Sequence, residues 1–431
     1  MFNTKTKTLF FLFFLSTSSW ASDPISLKQV VNNVLNDNPQ ILAAQASETE
    51  KKDNVGVARG HFLPTVSVGL VRGQQYSANP VLDAEGIPSI DLTRKENSIT
   101  LSQPLFAGGG ILNGYRQAQA ASDLAGFQLM DRQESIAEAT TEVYLNVLRS
   151  RELLALAREN VQAHEDMLNK VKVRYNAGVD RSSELHLAES RLALAKSKLT
   201  QSIGDEESNE RDYQFVVGTM PPRCMTDPKT PWQQLPKTQD QAIALAKSSV
   251  PILHVAQENV RASDSAVDVT KAAFYPNVNL QLTASDDYNL DGIEGENKNR
   301  MAVVRVDYAL FNGGSDRYSY DAAQAQRARA QALLSQTDRQ VAQQVLKARV
   351  ALLTDQKKEA ILSGYYQTSQ QVVQDYVQQF SIGKRPLFNV LDAQDEEFFA
   401  HTALINAQYD KRIDVYRELA ALGSLRSYFS G

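Results

Sequence analysis

The chain has 431 residues, 42% hydrophobic and 22% charged, with a net charge of −5. That length allows two or three domains with sizeable cores, and no basic patch is dense enough for nucleic acid. A single cysteine, Cys224, excludes an intrachain disulfide and a cysteine-based zinc site, and His61, His164, His186, His254 and His401 form no ligand motif.

Residues 1–21 have the pattern of a secretory signal. Lys5 and Lys7 precede a short apolar stretch from Leu9 to Leu15, and Ser19 and Ala21 occupy the −3 and −1 positions of a cleavage site. The stretch is too short to span a bilayer. No cysteine follows the cleavage site, so no lipid anchor is expected at Ser22. No later run of 18 apolar residues offers a transmembrane helix. An exported chain of this kind is periplasmic, released or a β-barrel.

The mature chain is a tandem duplication. Shifted by 212 residues, Pro39 meets Pro251, Phe62 meets Phe274 and Pro64 meets Pro276. Shifted by 205, Leu105-Phe106 meets Leu310-Phe311, Gly108-Gly109 meets Gly313-Gly314, Tyr115 meets Tyr320 and Gly178 meets Gly383. The first unit covers residues 22–218 and the second 238–423, followed by a C-terminal tail, 424–431. The connection 219–237 holds Pro221, Pro222, Pro228, Pro231 and Pro236, which makes it a linker.

In each unit the order is helix, strand, hairpin loop, strand, very long helix, turn, helix. Period-two alternation places strands at about 65–75, 97–105, 277–286 and 301–310, as in Val278, Leu280, Leu282 and Ala284 against Asn279, Gln281 and Thr283. Such lengths suit tilted strands crossing a bilayer, apolar toward lipid and polar toward water. A half-buried strand of a soluble sheet gives the same alternation. The helices favour the first reading. Gly110 to Tyr175 lacks proline and would extend about 100 Å at 1.5 Å per residue. Val147, Leu154, Val161, Leu168 and Tyr175 recur every seven residues with Ser150, Ala157, His164 and Val171 between them, a coiled-coil seam. Leu352, Tyr366, Val373 and Phe380 continue it in the second unit, and Glu359 breaks it. The fold expected is mainly α with a transmembrane β-barrel. Four strands leave an open sheet, and open edges are not tolerated in lipid, so sister copies must close it. Two, three or four copies all satisfy that requirement.

The paired junctions Asn38-Pro39…Phe62-Leu63-Pro64 and Pro251…Phe274-Tyr275-Pro276 mark where helix passes into strand. Leu101-Ser102-Gln103-Pro104-Leu105-Phe106-Ala107-Gly108-Gly109 and Tyr308-Ala309-Leu310-Phe311-Asn312-Gly313-Gly314 mark the return. Arg174-Tyr175-Asn176-Ala177-Gly178 and Gly383-Lys384-Arg385-Pro386-Leu387-Phe388-Asn389-Val390-Leu391-Asp392 mark the hairpin tips. In these features, from about Ser26 to Leu422, the chain resembles the TolC family of outer-membrane channels. The resemblance implies a homotrimer with a twelve-stranded barrel in outer-membrane lipid and an α-helical periplasmic tube of twelve helices. It also implies docking to a periplasmic adaptor and an energised inner-membrane transporter, an ABC transporter or a proton-driven pump. The missing lipid-anchor cysteine and the Phe-Asn-Gly-Gly turn look like members that export large adhesins by type I secretion; drug efflux is the alternative. A periplasmic adaptor or a coiled-coil fibre are more distant readings, and the duplicated strand pairs argue against them.

No nucleophile–base motif, phosphate loop or metal spacing is present, so no enzyme and no cofactor are expected. Gly108-Gly109-Gly110 lacks the Lys-Ser/Thr that a phosphate cradle needs and is a tight turn. Asp287 to Gly292 matches the start of a calcium loop, but Lys298 stands where its last ligand belongs, so an exposed acidic hairpin loop is the plainer reading. The resemblance implies a periplasmic gate at the hairpin tips: Glu184 pairing with Arg385, Phe380 where the family often has Tyr, and Asn389 and Asp392 at the aperture. The adaptor contact is expected around Gly178, Val179, Leu185, Gly383, Leu387 and Leu391. The competing reading is that these leucines pack the coiled coil.

Overall fold

The computed structural model describes residues 24–430; the signal expected over 1–21 lies outside them. The first unit comprises α1 (Leu27–Asp37), α2 (Pro39–Gly60), β1 (Thr65–Ser77), the short α3 (Pro80–Ala84), β2 (Ile90–Ala107), α4 (Gly110–Asn176) and α5 (Ser182–Val217). The second comprises α6 (Gln239–Ser249), α7 (Pro251–Lys271), β3 (Asn277–Leu290), β4 (Ile293–Asp307), α8 (Ser315–Ser381) and α9 (Leu387–Ala421), and α10 (Leu425–Ser430) follows. Among the described residues no helix is long and apolar enough to cross a membrane.

The duplication read from the sequence is geometric as well. Capping boxes open α1 at Ser26/Gln29 and α6 at Thr238/Gln241, and Pro39 and Pro251 stand at the first positions of α2 and α7. Phe62 meets Tyr115 edge to face at 5.9 Å, and Phe274 meets Tyr320 the same way at 6.3 Å. The strand-to-helix turns use Gly108 and Gly109 at φ 58° and 83°, and Gly313 and Gly314 at 58° and 81°. Left-handed backbone of this kind selects glycine. Helices α4 and α8 have 67 residues each, about 100 Å.

All four strands form one antiparallel sheet in the order β1-β2-β3-β4, with β1 and β4 as open edges. The register places Val66, Leu101, Leu282 and Ala302 in one cross-strand row, and Ser67, Thr100, Thr283 and Met301 in the next. Successive rows face opposite sides, so apolar residues collect on one face and hydroxyls on the other. The Thr100 and Thr283 hydroxyls are 3.4 Å apart. Pro104, which has no N–H to give, sits where the β2–β3 register slips between Pro104 and Phe106.

Strand bounds differ from the alternation: β1 ends at Ser77 and β2 at Ala107, each two residues late, and β3 runs on to Leu290, past 286. Strand β2 begins at Ile90, not near 97, and β4 runs from Ile293 to Asp307, not 301–310. Residues 293–300 are mostly polar on both faces and carry no period-two signal, yet their backbone pairs with β3. Tyr308 to Leu310 lie beyond Asp307, which is opposite Asn277, the first residue of β3, so they have no partner within the protomer.

The core sits where the units meet, midway along the helices. Leu27, Val30 and Val31 of α1 pack with Tyr144, Leu145 and Val147 of α4, Tyr416 and Leu419 of α9, and Leu425 and Phe429 of α10. Within the segment 424–431, expected as a tail, Leu425–Ser430 therefore form a docked helix. The linker is held too: the Ile25 N–H donates to the Cys224 carbonyl at 3.4 Å, and the Tyr144 hydroxyl lies 2.9 and 2.7 Å from the carbonyls of Ile25 and Thr226. Along α4 the heptad residues from Val147 to Val171 are buried, whereas Tyr175 is exposed. Glu359, where the second heptad breaks, forms an ion pair with Lys411 of α9.

Candidate functional site at the hairpin tips

Each long helix turns back through a glycine with left-handed backbone. Gly178 has φ 72° and Gly383 has φ 73°. The Val179 N–H reaches the Arg174 carbonyl and the Lys384 N–H reaches that of Gln379, both at 2.9 Å, closing the helix ends in the same way. Beneath the turns, Met167, Leu168 and Val171 of α4 pack with Ala188 of α5, Phe380 of α8, and Leu387, Val390 and Leu391 of α9. Leu185 packs against this cluster from one side.

Polar contacts at the tips are specific. Arg174 donates twice to Asp180, Nε to Oδ2 at 2.8 Å and Nη2 to Oδ1 at 3.0 Å. That pairing pushes the pKa of Arg174 up. The same guanidinium lies 4.8 Å over the Phe380 ring, a cation–π contact. Arg385 donates from Nε to Gln379 Oε1 at 2.7 Å and lies 3.7 Å over the Tyr376 ring. Glu184 stands in the first turn of α5. Among the described residues of the protomer it makes no ion pair with Arg385, so the expected Glu184–Arg385 contact is not present within one chain.

The ion bridge between the hairpins joins Asp392, expected at the aperture, to Arg191, Asp395 and Lys198, for which the sequence carries no motif. Arg191 of α5 reaches Asp392 at 2.9 Å and Asp395 at 2.6 Å, both on α9, and Lys198 reaches Asp395 at 3.2 Å. Carboxylates three residues apart on α9 face cations seven residues apart on an antiparallel neighbour. That pattern was present in the sequence, but the partners are some 200 positions apart. Asn389, half-buried, lies one turn before Asp392.

The residues expected to touch an adaptor fall into two groups. Gly178, Val179 and Gly383 are exposed, Val179 at 63%. Leu387 and Leu391 are 1% exposed each and are packing residues of the tip cluster. This corrects their placement on the surface. The exposed apolar residues in their neighbourhood are Ile382 and Phe388.

At the far end of the sheet, Asp291 and Gly292 have φ 54° and 89° between the paired residues Leu290 and Ile293, the backbone of a two-residue I′ hairpin. The Asp291 carboxylate accepts from Gln75 at 3.0 Å and Arg94 at 3.4 Å. Among the described residues, no group of His, Cys, Asp and Glu is placed to hold a metal ion.

Comparison with known proteins agrees with this architecture. The model of the family "Outer membrane efflux protein" matches residues 30–211 and 242–424, one stretch in each unit. Outer membrane efflux protein BepC of Brucella suis is 22% identical over 90% of this chain and 83% of its own length. Outer membrane protein TolC of Vibrio cholerae is 22% identical over 95% and 93%. The solved CmeC outer membrane channel of Campylobacter jejuni superposes with a TM-score of 0.83 at 15% identity, covering 99% of this chain and 94% of that one. The chain therefore belongs to the outer membrane efflux protein family, whose TolC-like members are channels of the Gram-negative outer membrane and not enzymes.

Proposed function

We propose that the protein is the passive exit duct of a type I secretion system, recruited as a trimer by a periplasmic adaptor and an inner-membrane ABC transporter. The observation that carries the reading is the join of two parts in one chain. A four-stranded sheet with one apolar face and two open edges continues directly into two 67-residue helices. The sheet needs copies of itself to survive in lipid, and the helices then extend any such barrel by about 100 Å into the periplasm. Among the described residues no group of His, Cys, Asp and Glu is placed to hold a metal ion, and in this reading the driving energy comes from a partner.

Within this duct the hairpin tips form the closed entrance. Exposed ion pairs are worth only about 0–1 kcal/mol each, so a ring of them is weak enough for a docking partner to open. Glu184 and Arg385 serve between neighbouring subunits in this reading, and Arg191 with Asp392 and Asp395 locks the two hairpins of one subunit. The exposed Val179, Ile382 and Phe388 give an adaptor its apolar foothold.

The secretion reading over small-molecule efflux rests on the likeness of the Phe311-Asn312-Gly313-Gly314 turn to channels for large adhesins. The description of the family and of BepC as efflux proteins favours the second reading, export of small molecules. Deleting the gene separates them. Loss of a large surface or medium protein, with drug susceptibility unchanged, supports secretion. Unchanged surface protein with several-fold greater susceptibility to apolar drugs overturns it in favour of efflux.

A further inference from the structure

The apolar face of the sheet changes chemistry along its height. The long helices α4 and α8 leave the sheet at one end, so the turns at 78–89 and Asp291–Gly292 mark the end that faces out of the cell. Every second cross-strand row lies on the apolar face. Reading outward from the helical end, Leu280 stands opposite Val304, and Val66, Leu101, Leu282 and Ala302 form the next row of this face. The row after it is Val68, Ile99, Ala284 and Arg300, in which a cation ends the apolar band. Two rows further out on the same face, Arg72 stands directly opposite Lys95.

Like charges in that position repel, and no carboxylate relieves this pair. Arg72 donates to neutral oxygens: Nη1 to the Val71 and Glu96 carbonyls at 2.6 and 3.0 Å, and Nη2 to Asn97 Oδ1 at 2.7 Å. Asn97 is fixed in turn, its Nδ2 donating to the Asp286 carbonyl at 3.0 Å. The side chains of Lys95 and Arg300 are exposed and, among the described residues, make no ion pair. The carboxylates in these rows gather at Lys298 instead, which Glu296 reaches at 2.6 Å and which stands opposite Asp286. On the opposite, water-lined face at the same height, Arg94 is paired with Glu96. Just below the unpaired cations, the small Ala284 and Ala302 leave a shallow apolar groove of about 490 Å³ beside Ile99, Leu101 and Leu282, with Arg300 at its outer end.

We propose that this face seats a phosphorylated acyl lipid of the outer leaflet, with an acyl chain in the groove, a phosphate between Arg72 and Lys95, and Arg300 where chain meets headgroup. The inference rests on the outer-membrane placement of the barrel and is independent of what the duct exports. Charge selects the occupant, because a phosphate between Arg72 and Lys95 turns their repulsion into two charge-assisted contacts. Height selects it too. The cations begin where the apolar rows end, and Arg and Lys lay their stems along apolar surface while their heads reach polar groups. Asn97 acts as a positioning residue, holding the Arg72 fork toward the phosphate.

Native mass spectrometry of trimers in neutral detergent tests the site, with bis-phosphorylated lipid A and its phosphatase-treated form as probes. Wild type should retain the phosphorylated lipid and lose the dephosphorylated one. Arg72→Gln with Lys95→Gln should retain about tenfold less of the phosphorylated lipid. Arg72→Lys with Lys95→Arg keeps both charges and should retain it near the wild-type level. Arg305→Gln, on the water-lined face, should bind as wild type does; a loss there matching that of the Gln double variant would reduce the effect to net charge and overturn the site. Equal retention of the two lipid forms by wild type overturns the proposal without any variant, as does undiminished retention in the Gln double variant. Complete displacement by millimolar inorganic phosphate also overturns it, since the anion alone would then suffice. Each of these results leaves the channel standing, whereas protein that is monomeric in detergent by light scattering overturns the channel itself.

Discussion

Arg191 of α5 grips two carboxylates of α9 at once, with Nη2 2.9 Å from Asp392 and Nη1 2.6 Å from Asp395. The second contact is the more sheltered, since the Asp395 side chain is 11% exposed. Hydrogen bonds to charged groups are worth about 1.5–3 kcal/mol when sheltered. Arg191→Ala should therefore loosen the hairpin tips, raising single-channel conductance in planar bilayers above wild type. In the proposed gate, Glu184→Ala with Arg385→Ala should raise it too, and the triple variant should exceed both. Unchanged conductance in Arg191→Ala would remove this bridge from the gate.

The two units solve one packing problem with different chemistry. In the second, Arg349 pairs with Glu418 at 2.9 Å and donates to the Pro236 and Lys237 carbonyls at 2.8 and 2.7 Å. In the first, the equivalent positions hold Tyr144 and Tyr213, and the Tyr144 hydroxyl meets the Ile25 carbonyl. Glu418 is 1% exposed. Arg349→Ala strands that carboxylate and should cost about 3–5 kcal/mol, visible as a lower trimer dissociation temperature. Arg349→Tyr with Glu418→Tyr, which copies the first unit, should recover most of the loss.

Docking of α10 should depend on pH. The Arg426 N–H donates to Glu134 Oε2 at 2.7 Å. Burial pushes the Glu134 carboxyl up from about 4.5 to about 7, partly offset by that bond and the Arg426 charge. A raised carboxyl pKa means the folded state holds the proton more tightly than the unfolded state. This group's contribution to stability is then greatest below pH 4.5 and falls as pH rises to about 7, by about 3 kcal/mol. Glu134→Gln keeps an acceptor and removes the titration. Its gain in thermal midpoint over wild type should be larger at pH 8 than at pH 5 by circular dichroism; equal gains would refute the assignment.

At the tips, exposure separates contact from packing. Val179→Asp or Phe388→Asp should abolish export while trimers persist on seminative gels. Leu387→Asp or Leu391→Asp buries a charge in the tip cluster and should lower thermal stability instead.

How far the sequence spoke depended on whether a signal was local or periodic. The offsets of 212 and 205, the alternation around Leu280 and Leu282, and the heptads of α4 are periodic, and each has its counterpart in the structure. Residues 293–300 pair through their backbone in a region without an apolar face, and in 90–96 the alternation is carried by Ile90 and Leu92 alone before Arg94, Lys95 and Glu96 end it, so neither stretch has a sustained side-chain pattern. Arg191 was missed because its partners lie in the other unit, and only the antiparallel packing of α5 with α9 brings them together. Leu387 and Leu391 looked like surface residues because they follow a turn; the cluster beneath Phe380 takes them in. Glu359, which reads as a flaw in the heptad, has Lys411 beside it.

The sheet's two free margins also bear on how such a molecule is made. A newly exported copy presents unpaired backbone and an apolar face to an aqueous compartment, a ready template for wrong partners as much as for right ones. Its maturation is then a race between correct association and precipitation, governed by how many copies are present at once. No half-built ring can rest stably in the lipid, so insertion and assembly must proceed as one concentration-dependent event.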